Sequence, residues 1–220
     1  MKLLIALCWV SLATTTPRID QKPEKNQHPT FEERDGVVAV EAEHFHRQSL
    51  HNVRQWDIVT DAHAGNASAN SYLECLPDTR ITHADKLVTG ENFSNVAGQM
   101  AILHYQVYFN TPGKYYVWVR AYSTGTEDNG IHMGIDGTWP ESGQRMQWCE
   151  GKNEWSWASK QRTEEEHCGK PGLIFIEIEQ EGLHEIQFSM REDGFEFDKF
   201  VLSTKYEKPN GTGPDERLRE

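Results

Sequence analysis

PGKYYVWVRAY, residues Pro112–Tyr122, reads as a turn followed by a strand. Pro-Gly reverses the chain, and from Tyr115 the residues alternate. Tyr116, Trp118, Arg120 and Tyr122 fall on one side, and Tyr115, Val117, Val119 and Ala121 on the other. Period two in β-branched and aromatic residues predicts a strand with one buried face. Moving outward, the same pattern recurs at Val37–Glu43 (VVAVEAE), Ala101–Phe109 (AILHYQVYF) and Ile131–Asp136. It continues at Leu173–Glu179 (LIFIEIE), Leu183–Met190 (LHEIQFSM) and Phe195–Ser203 (FEFDKFVLS). Asp128-Asn-Gly130, Asp136-Gly137 and Glu181-Gly182 supply turns between them. No amphipathic helix of three turns competes, although a short helical turn fits Glu43–Gln48. The expected fold is all-β: an antiparallel β-sandwich of jelly-roll type with long loop inserts.

The 220 residues suit one such domain with tails. Residues 1–16, MKLLIALCWVSLATTT, read as a signal peptide, with an apolar run too short to cross a bilayer. Residues 17–34 read as a polar linker, 35–204 as the folded domain and 205–220 as a polar tail. The expected location is therefore secreted, periplasmic or on the cell surface, with no membrane span. The chain holds 22 basic and 34 acidic residues, a formal charge of −12. That excess argues against nucleic acid and against a strongly sulfated polymer held by bulk charge, although a local arginine cluster overrides it. Beyond the signal segment, Cys75, Cys149 and Cys168 imply one disulfide and one spare thiol. Cys149 with Cys168 closes a loop around two tryptophans, and pairing of Cys75 with either is the alternative.

Four tryptophans, Trp139, Trp148, Trp155 and Trp157, crowd into the polar stretch Thr138–Arg162. Neither helical nor strand periodicity spaces aromatics this way. Rings held in loops offer flat apolar faces with a polar edge, the surface that sugar rings use. Two of the four are expected to stack on ligand and two to hold the loop together; Trp56 and Trp118 are expected in the framework.

Several motifs together resemble a known family. They are Glu41-Ala-Glu43, PGKYYVWVRAY, Asp128-Asn-Gly130, GIDGTW (Gly134–Trp139) and DGFEFDKFVL (Asp193–Leu202). Over about residues 36–203 the chain resembles the galactose-binding-like sandwiches of carbohydrate-binding module families 6 and 35. It also resembles the C-terminal modules of family 115 glycoside hydrolases. Its inserts Ser71–Gly98 and Trp139–Gly172 depart from the smaller members. The resemblance implies a secreted, non-catalytic domain whose partner is a polysaccharide or oligosaccharide, and the expected oligomeric state is a monomer. It implies a structural calcium (Ca2+) held by Glu41, Glu43 and Asp198, the two glutamates sharing one strand face. It implies a ligand site at Asp128, Asn129, His132 and Trp139, extended by Trp148, Trp155 and Trp157. Tyr72, Arg80 and Arg162 would complete it, and an acidic sugar would use Arg80 or Arg162 as a bidentate partner. The alternative is a polysaccharide lyase or glycoside hydrolase. Glu141, Glu150, Glu154 and Asp128 are its candidate carboxylates, and Tyr72, His83 and Arg80 its candidate lyase set, none in a motif.

Overall fold

The computed structural model describes residues 29–61 and 63–220. The signal segment and most of the expected linker lie outside the described residues. The strands, in chain order, are β1 (Thr30–Glu32), β2 (Val37–Glu41), β3 (Arg47–Ser49), β4 (Gln55–Val59) and β5 (Tyr72–Leu76). The long central ones follow: β6 (Ile102–Phe109), β7 (Gly113–Tyr122) and β8 (Gly130–Ile135). Four short ones come next, β9 (Met146–Gln147), β10 (Ser156–Ala158), β11 (Lys160–Gln161) and β12 (Lys170–Pro171). The last are β13 (Phe175–Ile178), β14 (Gly182–Met190) and β15 (Glu196–Ser203). Helical structure among the described residues is confined to four single 3-10 turns.

Two sheets form. One runs β1-β6-β14-β8-β9-β11-β12 with β3 also on β6; the other runs β10-β7-β15-β5-β4, with β13 on β7 and β2 on β15. All pairings are antiparallel except β1 on β6. The alternation in β7 is realised: Tyr115, Val117, Val119 and Ala121 are fully buried. They pack with Tyr105, Phe109, Ile186 and Phe188 of the other sheet and with Phe197 and Phe200 of β15, the neighbour of β7 in its own sheet. Two large core rings place their polar atoms on backbone carbonyls. The Tyr105 hydroxyl donates to the Ala42 carbonyl at 2.7 Å, and the Trp56 indole donates to Ala101 at 2.7 Å. Asp136 and Gly137 both take positive φ, so their hairpin needs the residues it has.

The expected boundaries fall inside the fold. β1 lies within the segment read as linker, and the buried Glu33 accepts from the backbone of Gly36, Asn110 and Thr111. The polar tail is a strap. The Tyr206 ring lies 5.1 Å from Trp118, the Gly211 carbonyl accepts the Trp157 indole at 2.9 Å, and Leu218 bridges to Phe31. Polarity alone missed this, because glycine and backbone carbonyls do the packing.

Candidate functional site

The three carboxylates expected to share a cation do not sit as strand alternation suggested. β2 ends at Glu41, and Ala42–His44 forms a 3-10 turn that carries Glu43 off the strand. Glu41 Oε1 accepts from Lys199 Nζ at 2.8 Å and from the Ser68 hydroxyl at 2.8 Å. Asp198 is fully buried and committed: Arg120 and the Ser68 N–H occupy its two oxygens. Glu43 accepts from the Ser71 hydroxyl. What remains is one oxygen each on Glu41 and Glu43, both buried and accepting no hydrogen bond. Bare buried carboxylate oxygens are costly, and a hard cation suits them. Glu41 and Glu43 thus each keep one oxygen open to a cation and Asp198, neutralised by a guanidinium, does not, and among the described residues no group of three or more His, Cys, Asp or Glu side chains is placed to hold a metal ion.

The expected ligand residues separate into scaffold and surface. Trp148 is buried in the main core, 5.1 Å from Phe195, and Trp157 is buried under the strap with Ala39, Trp118 and Val201. Neither is a platform. Trp139 is half-buried, its ring packed over Gly98 and Gly134. Asp128 is buried and spent on its own loop, accepting from Ser123, from the N–H and hydroxyl of Thr124, and from the Gly125 N–H. Asn129 is buried too, donating to Glu192 and to the Trp148 carbonyl. His132 is fully buried, with Nε2 at 3.0 Å from the Ser94 carbonyl and Nδ1 accepting the Arg145 N–H at 3.1 Å. Burial, helped by the charges of Arg191 and Arg145, drives its pKa down to about 3, so it is neutral scaffold. Arg80 faces Glu127 at 3.7 Å. Of the residues named for the enzyme alternatives, Glu141 pairs with Arg145 and Glu150 with Lys160, while His83 joins Arg80 on Glu127. Cys149 and Cys168 are bonded and Cys75 is buried and free.

Trp155 survives. It is half-buried, with its ring 5.1 Å from Tyr72, 5.5 Å from Tyr122 and 5.6 Å from the Arg120 guanidinium. Its indole donates to the His63 carbonyl at 3.0 Å, and His63 stacks on Tyr122 at 4.4 Å. Beside these rings, Glu74 of β5 and Glu196 of β15 are direct cross-strand partners. His63 Nδ1 lies 3.3 Å from Glu196, and the Tyr72 hydroxyl donates to Asp61 at 3.2 Å. Two carboxylates directly opposed on a sheet repel. Burial first, then Glu74, Asp128 and Asp61, raise Glu196 to about 8. Burial first, then Asp78, Asp61 and Asp128, raise Glu74 to about 7. The result is an aromatic corner whose two carboxyls hold protons well above the ordinary carboxylate range, and a protonated carboxyl both donates and accepts hydrogen bonds.

Of this corner, the sequence reading held Trp155, Tyr72 and Asp128, and it missed Tyr122, His63, Glu74 and Glu196. The signal for Tyr122 was present: it ends the outward face of β7, with Arg120 two residues before it. Glu74 and Glu196 needed the β5–β15 register, which no local pattern gives.

Comparison with known proteins matches residues 30–216 to the glycosyl hydrolase family 115 C-terminal domain. A relative from Formosa agariphila, uncharacterized protein P23, is 53% identical over 230 residues. That match takes in 99% of this chain and 55% of the relative, so the chain spans about half the relative's length. Among solved structures, a family 35 carbohydrate binding module from Clostridium thermocellum is similar with a TM-score of 0.46 and 17% identity. It covers 76% of this chain and 98% of the module. The Podospora anserina GH26-CBM35 β-(1,4)-mannanase is similar with a TM-score of 0.46 and 12% identity, over 80% of this chain and 29% of the mannanase. With the matched model spanning both sheets and most of the strap, the chain belongs to the glycosyl hydrolase family 115 C-terminal domain family.

Proposed function

We propose that this domain is a secreted, non-catalytic carbohydrate-binding module that takes a hydroxyl-rich sugar at the Trp155–Tyr122–His63 corner. The observation that carries the reading is the juxtaposition of half-buried rings with the Glu74–Glu196 pair. An aromatic face serves the apolar side of a pyranose, and carboxyls serve its hydroxyls. Membership in a family named for a glycosidase C-terminal domain supports a role beside carbohydrate chemistry, and the Cys149–Cys168 bond suits an oxidising compartment. A structural calcium at Glu41 and Glu43 belongs to the same reading. It would neutralise their two bare oxygens and fix the turn that follows β2.

The Glu74–Glu196 pair also favours a second reading, glycoside hydrolysis, because two carboxyls of unequal environment are what acid–base cleavage uses. Affinity electrophoresis through gels containing neutral galactan, mannan or xylan separates the two. Retardation without new reducing ends is the expected result. Trp155→Ala should weaken it by roughly 1–3 kcal/mol, the scale of an aromatic anchor. Trp148→Ala instead should cost about 3–5 kcal/mol of stability as a core deletion. Release of reducing ends that Glu196→Gln abolishes would establish the hydrolase; unchanged retardation of Trp155→Ala would remove the corner from the binding surface.

A further inference from the structure

We propose that the groove between Arg145 and Arg162 is an oxyanion site for a carboxylate or sulfate group carried on a saccharide. It lies at the edge of the first sheet where β9 and β11 pair, apart from the acid–aromatic corner, and it does not depend on that corner binding sugar.

The groove has a volume of about 580 Å³ and is lined by Asn95, Arg145, Arg162, Thr163 and His167 together with two carboxylates, Glu141 and Glu164. Most arginines among the described residues are spent on carboxylates. Arg54, Arg80, Arg120, Arg145 and Arg191 each face a carboxylate. Arg162 faces none among the described residues, and its one side-chain hydrogen bond is a 3.3 Å donation to the His167 carbonyl. It is half-buried rather than free in solvent. A guanidinium held at a concave surface keeps donors in a fixed fork, which matches a planar carboxylate or two sulfate oxygens.

The neighbours hold this fork in place. The Arg162 N–H donates to the Arg145 carbonyl at 2.8 Å, and the Arg145 Nε donates to the Arg162 carbonyl at 3.3 Å. Arg145 takes φ of +57°, a strained value for a side chain of its size, and neutral His132 accepts its N–H from below. Glu141 is occupied by the Arg145 guanidinium. The arm from Thr163 to His167 ends at Cys168, whose bond to Cys149 fastens that wall. Arg191 adds charge from behind: it is 3% exposed, its Nε has no acceptor, and Arg162 and Arg145 both add to the burial that lowers its pKa. Arg145 and Arg191 are each paired with a carboxylate, so Arg162 is the guanidinium at this groove whose charge has no ion-pair partner, on a chain of charge −12.

The test is affinity electrophoresis of the full chain in gels containing dextran sulfate, polygalacturonate or unmodified dextran, at about 50 and 200 mM salt. One or both charged polymers should retard the protein more than dextran does, with the excess shrinking at higher salt. The two charged arms decide whether sulfate or carboxylate is preferred. Arg162→Ala should lower apparent affinity for the preferred polymer at least tenfold. Arg162→Lys should fall between, because it keeps charge and loses the fork. Melting temperatures should stay at the parent value, since Arg162 has no buried partner. Trp155→Ala should leave the excess of the charged arms over dextran unchanged, whatever it does to the retardation shared by all three, so failure of this site and failure of the corner are distinguishable. Equal retardation by all three polymers, or full retention by both Arg162 variants, overturns the proposal.

Discussion

Glu196→Gln is expected to stabilise the domain at alkaline pH and to do little at pH 4.5. In the fold, Glu196 titrates at about 8 against an ordinary value of 4.5. A carboxyl raised in the folded state binds its proton more tightly there than in the unfolded chain. Its contribution is therefore fully present below about 4.5 and is lost as pH rises through about 8. Taken alone, that shift corresponds to a ceiling of about 5 kcal/mol against the ionised form. The real loss is smaller, because Glu74 shares the repulsion and His63, 3.3 Å away, offsets part of it. We expect about 2–3 kcal/mol at pH 9, which for a domain of this size is roughly 5–10 °C in Tm. The assay is thermal unfolding of parent and variant from pH 4.5 to 9. The difference between them isolates this pair from every other titrating group. A Tm gain of equal size at both ends of the range would mean that packing, not charge, is responsible. A loss at pH 9 would mean that the His63 contact outweighs the repulsion, and would refute the electrostatic account of the corner.

Two further outcomes follow from the geometry. Millimolar calcium should raise Tm and EGTA reverse it, with both effects lost in Glu43→Gln; an unchanged Tm in calcium removes the metal from Glu41 and Glu43. Deleting residues 205–220 should lower stability by several kcal/mol in urea unfolding, since Trp157, Trp118 and Phe31 lose their cover. A transition midpoint identical to the full chain would show that the strap adds nothing.

Strands of seven or more residues were legible, and they were legible for one reason. In β7, β14 and β15 the alternation is long enough that one face buries completely, so residue order carries the register. β1 (TFE) and β3 (RQS) are too short to alternate, and their pairing with β6 is decided by what the sheet leaves open. The tryptophan stretch was legible as unusual but not as to which way each ring faces. That depends on partners far along the chain: Gly211 for Trp157, Phe195 for Trp148 and Tyr72 for Trp155. Glu41 and Glu43 were spaced as strand neighbours, but a 3-10 turn between them changed their relation. Arg162 was singled out among the binding candidates; that it alone among the groove's arginines lacks a carboxylate required the folded neighbourhood of Arg145 and Glu141.

The strap has a practical consequence for anyone who cuts this chain. Gly211 and Tyr206 occupy Trp157 and Trp118 much as a bound pyranose would, one by accepting the indole hydrogen and one by lying against a ring. A fragment ending at Thr204, where composition turns polar, would unveil two tryptophans that the intact chain keeps to itself. Polysaccharide affinity measured on such a fragment would report the scissors, and the proposed site at Trp155 would be judged beside an artefact made of the same chemistry.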